Sequence, residues 1–193
     1  MLTVGFITLG FFFRGEIVAL LKDPSWFFLA VLLSELFFFP RITVLIASGL
    51  LFPPLTGAAL TVAGDVTAAV LVWAAARNSL AMSLGTAILK HERTRWMRPL
   101  LRGNKAGIAI TVLRILPFSH FSTVSLLSGT LKIPLAAFTL GTLLGCLPTA
   151  LVYPFVAQGI VQWNPAKFIP AAALIVLTAA LAILSLNRMR GPK

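Results

Sequence analysis

Two apolar stretches of membrane-spanning length are each broken near the middle by a proline beside a charge. This interruption constrains the chain more than any other feature. Residues 24–56 carry Glu35, Pro40 and Arg41 at the break and close on Gly49 and the Pro53-Pro54 pair. Residues 106–131 carry Arg114 and Pro117, followed by a run rich in Ser and Thr. A proline inside a helix removes one backbone donor and clashes with the preceding turn, so each block reads as two half-helices rather than one straight span. Irregular backbone at membrane depth persists only where protein or a water-filled cavity encloses it. Each break therefore marks a place where the chain turns inside a protected interior.

Composition fixes the medium. The 193 residues are 59% hydrophobic and 11% charged, with four Trp and fifteen Phe and a mean hydropathy of +0.97. Soluble domains carry about 25% charged residues, so this chain has too little polar surface for water, and a soluble enzyme is excluded. The formal charge of +11 does not point to nucleic acid, because the bases lie between apolar runs; they read as topology signals facing anionic lipid. The single cysteine, Cys146, sits in an apolar stretch and reads as a small packing residue, and no metal or cofactor is expected. No Lys or Arg precedes Phe13 and no small-x-small cleavage site follows the first apolar run, so the N-terminus is expected to be retained.

A walk along the chain gives one membrane domain over 1–193. Residues 1–21 either cross or lie in the interface, and Lys22, Asp23 and Pro24 stop them. A full span is expected over 57–76, with Asp65 its one charge. The segment 77–105 holds Arg77, Lys90, Arg93, Arg95, Arg98, Arg102 and Lys105 against Glu92 alone, which places it in the cytoplasm by the positive-inside rule. Its Trp96, Met97, Leu100 and Leu101 suit a helix on the headgroups, with basic side chains snorkelling. Further spans are expected over 135–158, which contains Gly141 and Gly145 in GxxxG spacing, and over 168–187, followed by Arg188, Arg190 and Lys193. If 106–131 crossed fully, that basic C-terminus would lie outside. A segment that dips in from the cytoplasm and returns keeps it inside, and by the same logic 24–56 dips in from the other face. The expected fold is thus an all-α integral membrane protein: transmembrane helices with two oppositely inserted re-entrant helical hairpins, an inverted repeat with a cytoplasmic C-terminus. Transporters place their sites where such discontinuous segments meet near the midplane.

Charges inside apolar blocks name the candidates. Each costs about 2.5–3.5 kcal/mol even on the gentlest insertion scale, so Glu35, Asp65 and Arg114 need partners or a ligand. Arg114 is a permanent, planar fork suited to phosphate. His120 and the hydroxyls of Ser119, Ser122 and Thr123 follow it, and half-helix ends would add oriented amides. Plainer readings stand beside this one. Arg114 has the option of pairing with Glu35 or Asp65 as structural glue, Asp65 of being satisfied by Thr61, Arg41 of snorkelling to the outer interface, and the GxxxG of serving only close packing. The functional reading is a transporter or scramblase for a phosphate-headed lipid, with Glu35 and Asp65 competing for Arg114 or carrying protons. A proton-coupled carrier of a small solute or ion and a non-catalytic membrane assembly protein are the alternatives. A membrane enzyme is disfavoured, since the two histidines, His91 and His120, lie in no GxSxG or HExxH context.

The order Glu35, Pro40, Ser48-Gly49-Leu50-Leu51-Phe52, Arg77, Leu113-Arg114-Ile115-Leu116-Pro117, Ser128-Gly129 and Gly145-x-x-Pro148 resembles the DedA or VTT-domain superfamily, also called SNARE-associated Golgi proteins, over roughly residues 25–160. The resemblance implies opposed re-entrant hairpins and movement of lipid, either phospholipid or polyprenyl phosphate, across the bilayer. For a bacterial member this is the cytoplasmic membrane, with the lipid as substrate, protons as a second partner and a homodimer compatible with the fold. Glu35 matches the family's hairpin glutamate and Arg114 its hairpin arginine. DedA-type members carry an acid soon after the first hairpin's proline, where this chain has Arg41 and neutral residues. They also carry a second arginine where it has His120, so the chain looks closer to the shorter VTT branch.

Overall fold

The computed structural model describes residues 14–37, 39–91, 97–102, 106–116 and 121–163, with single positions between 169 and 184. Among these residues the regular structure is helical throughout. Most of the expected last span, the first thirteen residues, and the predicted site residues Ser119 and His120 lie outside them.

Helix α1 (Arg14–Leu21) meets α2 (Pro24–Leu36) at an angle of 101°. The corner is written in the sequence: the Asp23 carboxylate caps α2 by accepting from the Ser25 amide at 2.8 Å, and Pro24 takes the first helical position, where no amide is needed. Helix α3 (Arg41–Leu51) follows the break at Phe37–Pro40, and Pro40 stands at its N-cap. Its 11 residues and the 13 of α2 each fall short of the about 20 needed to cross. The same holds for the second broken block, where α7 (Ala106–Ile115) and α8 (Phe121–Thr130) have 10 residues apiece.

Among the described residues two helices are long and apolar enough to cross a membrane: α4 (Pro54–Ala75) and α9 (Leu135–Val161). They pack on each other and form the frame on which the short helices rest. Helices α2 and α8 lie mainly on α4, α7 lies on α9, and α3 touches both. Between the two broken blocks run α5 (Ser79–Lys90), packed on α8, and the short α6 (Met97–Arg102), packed on α7. Met97, Leu100 and Leu101 of α6 are buried in the protein core while Arg98 is exposed. The apolar side expected to face headgroups is therefore spent on protein packing, because α7 offers a complementary face in reach.

The glycines of the GxxxG pair set the closest approach. A β-carbon on Gly141 would come 2.5 Å from the Gly107 carbonyl oxygen, and one on Gly145 would come 2.5 Å from Arg114 Cβ and 2.7 Å from the Thr111 carbonyl oxygen. Helix α9 thus lies directly against α7 at the level of Arg114, in the manner of small residues at membrane helix interfaces. Two residues beyond the end of α8, Lys132 has a positive φ of 57°. There the amide of Ile133 returns to the Ser128 carbonyl at 3.0 Å, closing the last turn. Trp73 of α4 stacks on Phe138 of α9 with centroids 6.0 Å apart and donates to the Ile133 carbonyl at 3.2 Å. Outside this core a smaller one forms where Phe27 meets Phe52 edge to face at 5.0 Å around Val31.

Candidate functional site

The breaks of the two blocks come together. Ser122, at the start of α8, donates its hydroxyl to the backbone carbonyl of Glu35, near the end of α2. This bond ties one break to the other. Around the junction lie four charged side chains, Glu35, Arg41, Asp65 and Arg114. Glu35, Asp65 and Arg114 are buried, and each of the four feels the field of the others.

Arg41 and Asp65 form an ion pair. Both Nε, at 2.8 Å, and a terminal nitrogen, at 2.6 Å, donate to Asp65 Oδ2, and the second terminal nitrogen donates to Thr149 Oγ1 at 2.8 Å. The pair therefore clamps α3 to both long helices. Two sequence expectations are corrected here. Arg41 does not snorkel outward: as the first residue of α3, directly after the proline break, it turns toward α4, where an unpaired carboxylate would be costly. Nor does Thr61 satisfy Asp65, because the Thr61 hydroxyl is committed to the Gly57 carbonyl four residues back at 2.7 Å. Asp65 Oδ1 has no hydrogen-bond partner among the described residues.

Arg114 is held differently. One terminal nitrogen donates to the Phe121 carbonyl at 2.7 Å; the other donates to Ser125 Oγ at 2.8 Å and, at the long distance of 3.4 Å, toward Thr142 Oγ1. Its guanidinium carbon stands 3.5 Å from the centroid of the Phe121 ring and 5.8 Å from that of Phe138. The acceptors are all neutral, Nε has no partner, and no carboxylate lies within ion-pair distance among the described residues. The expectation that Arg114 pairs with Glu35 or Asp65 as glue is not met. Asp65 is taken by Arg41, and among the described residues the Glu35 carboxylate is not within ion-pair distance of Arg114. The Phe121 ring lies near both guanidinium groups, with Arg41 at 5.5 Å from its centroid.

Of the predicted residues, Glu35, Asp65, Arg114 and Ser122 share one buried neighbourhood, and Ser119 and His120 lie outside the described residues. Sequence reasoning passed over Arg41 as a partner, and did not single out Phe121, Ser125, Thr142 and Thr149. A signal for the two threonines was present. Residues 133–166 carry no charge, and Thr142 and Thr149 are seven apart, two turns of one helix face, on either side of Gly145.

Chemically, the arrangement presents a buried guanidinium with a donor left unused among the described residues, beside an ion pair and an extra carboxylate. That suits an anionic group small enough to approach a fork, such as a phosphate. Among the described residues no cluster of three or more potential metal ligands occurs. No curated protein and no solved structure matches the chain. The profile of the VTT domain matches residues 39–159, which takes in Pro40, Arg41, Asp65, Arg114 and Ser122, all of α4 and nearly all of α9, and begins after Glu35. The chain is a membrane protein of the VTT-domain family, the DedA/SNARE-associated Golgi protein group.

Proposed function

We propose that this protein moves a phosphate-headed lipid across the bilayer. In this reading the two broken blocks are re-entrant hairpins inserted from opposite faces, and the junction of their breaks is the headgroup site. The observation that carries the reading is Arg114: a buried guanidinium held only by neutral acceptors, with a free Nε and no carboxylate in ion-pair reach among the described residues. A buried charge left without a counter-charge is expensive, and an arriving phosphate offsets that cost. Arg114 grips the phosphate, Ser122 and Ser125 keep the two hairpins in register around it, and Glu35 supplies a carboxylate that competes for the guanidinium once the headgroup leaves. Ser119 and His120 belong to the same proposed site by their place in the sequence.

Supporting the hairpin reading, the pairs α2–α3 and α7–α8 are too short to cross as single helices, and their breaks touch through Ser122 and Glu35. In the bacterial cytoplasmic membrane the basic segment 77–105 and the basic C-terminus would both face inward. The test uses liposomes containing purified protein and two fluorescent lipids with identical chains, one headed by a phosphate and one by an uncharged sugar, with outer-leaflet label quenched chemically. The protein is expected to bring inner-leaflet phosphate-headed label to the quencher and leave the sugar lipid at the protein-free rate. Equal movement of both lipids contradicts the assignment of the phosphate as the recognised group; movement of neither contradicts lipid transport.

A further inference from the structure

Along the same two long helices that hold the charged cluster lies an apolar groove of about 580 Å³, within the roughly 300–1,000 Å³ typical of small-molecule sites. Its walls are α4 and α9 themselves. Ala59, Val62, Ala63 and Val66 supply one side at helical spacing, and Leu143 and Leu147 supply the other, one turn apart. The hydroxyl in its lining, Thr67, donates to the Ala63 carbonyl at 2.8 Å and so offers no spare donor to a ligand.

We propose that this groove seats the hydrocarbon chain of the lipid whose head is drawn to the arginine cluster; the inference rests on the lipid-transport reading in naming its substrate. Three observations select a chain over other occupants. Both walls belong to the helices long and apolar enough to cross the membrane, so the medium at the mouth is hydrocarbon. The groove and the charged cluster share the same stretch of the same helix pair. Val66 of the groove directly follows Asp65, and Thr149, which holds Arg41, lies two residues beyond Leu147. A lipid is a ligand that needs a polar station and an apolar one within reach of each other. Finally, a second copy related by a two-fold axis through the groove would set groove against groove and leave the hollow unfilled. The described positions of the chain's last segment, such as Val176, Leu177 and Leu184, are themselves exposed rather than seated there. Because lipid tails are as apolar as the lining, occupancy is driven by close packing of a chain against Ala-sized steps rather than by escape from water.

The experiment reconstitutes the full chain into liposomes doped with a phospholipid bearing a photoreactive group in its acyl chain, irradiates, and maps the labelled peptides. Label is expected to concentrate on α4 and α9 at the groove. Ala63→Phe, which fills the hollow from an exposed position, is expected to reduce both that label and lipid movement by about tenfold, the effect of overfilling a packed site. The thermal unfolding midpoint should stay that of the wild type. Label spread evenly over exposed leucines outside the groove, such as Leu140 and Leu144, overturns the proposal, and so does unchanged lipid movement by Ala63→Phe. An Ala63→Cys variant that forms a disulfide-linked dimer makes the groove a subunit contact, and one that cross-links to a cysteine placed at residue 176 makes it the seat of the chain's own last segment; either result also overturns it. If wild-type protein moves no lipid at all, the transport reading fails by itself and the label map still decides whether a chain binds here.

Discussion

Removing Asp65 should destabilise the protein more than removing the whole ion pair. In Asp65→Ala, Arg41 loses both donor contacts to Oδ2, at 2.8 and 2.6 Å, and keeps one neutral partner, Thr149 at 2.8 Å. Breaking a buried pair by deleting one member costs about 3–5 kcal/mol. The Arg41 side chain is 14% exposed and the Asp65 side chain 1%, so the orphaned cation retains a partial route to polar surroundings, which places the loss near the lower end, about 3 kcal/mol. For a chain of this length that corresponds to a fall in midpoint of roughly 6–12 °C. The assay is built into the sequence. Cys146 is the sole cysteine and is fully buried, so a thiol-reactive fluorophore lights up only as the fold opens. The double variant Arg41→Met/Asp65→Leu replaces the pair with apolar groups of similar size and is expected to recover most of the loss. If Asp65→Ala melts with the wild type, or if the double variant loses as much as the two single changes added together, the pair is not the clamp described.

Two further outcomes follow from the same geometry. Ser125→Ala removes a 2.8 Å contact to a charged donor and should cost about 1.5–3 kcal/mol, whereas Thr142→Val removes one at 3.4 Å and should cost well under half of that in the same thiol assay. Equal losses would show that the two hydroxyls hold Arg114 alike. Gly145→Ala should lower the midpoint by the equivalent of about 1–3 kcal/mol, since its β-carbon would meet Arg114 Cβ at 2.5 Å and force α9 away from α7; an unchanged midpoint would mean the helices part without penalty.

The features legible from sequence were those that depend on one residue's own chemistry. Proline breaks, the Asp23-Pro24 corner, the low charge content and the small residues of the GxxxG pair act locally, and each can be placed without knowing the neighbours. The rule that charges in apolar segments must be compensated was equally available. Which charge meets which was not, because Arg41 and Asp65 are joined only by the way α3 folds back on α4 after Pro40. Side chains that hold Arg114 through neutral oxygens were the least visible: a serine or threonine in a membrane helix usually bonds its own preceding turn, as Thr61 does. Phe121 was hidden for a different reason, since a phenylalanine in a chain with fifteen of them signals nothing until its ring is found beside two guanidinium groups.

The most direct test of the account is the rate at which Arg114→Gln protein moves a phosphate-headed lipid in liposomes, measured on samples whose thiol-labelling midpoint shows them folded. The uncharged amide retains hydrogen-bonding capacity toward Ser125 and Phe121 but cannot offset a phosphate's charge, so the account predicts movement no faster than in protein-free liposomes. Movement at the wild-type rate would contradict it.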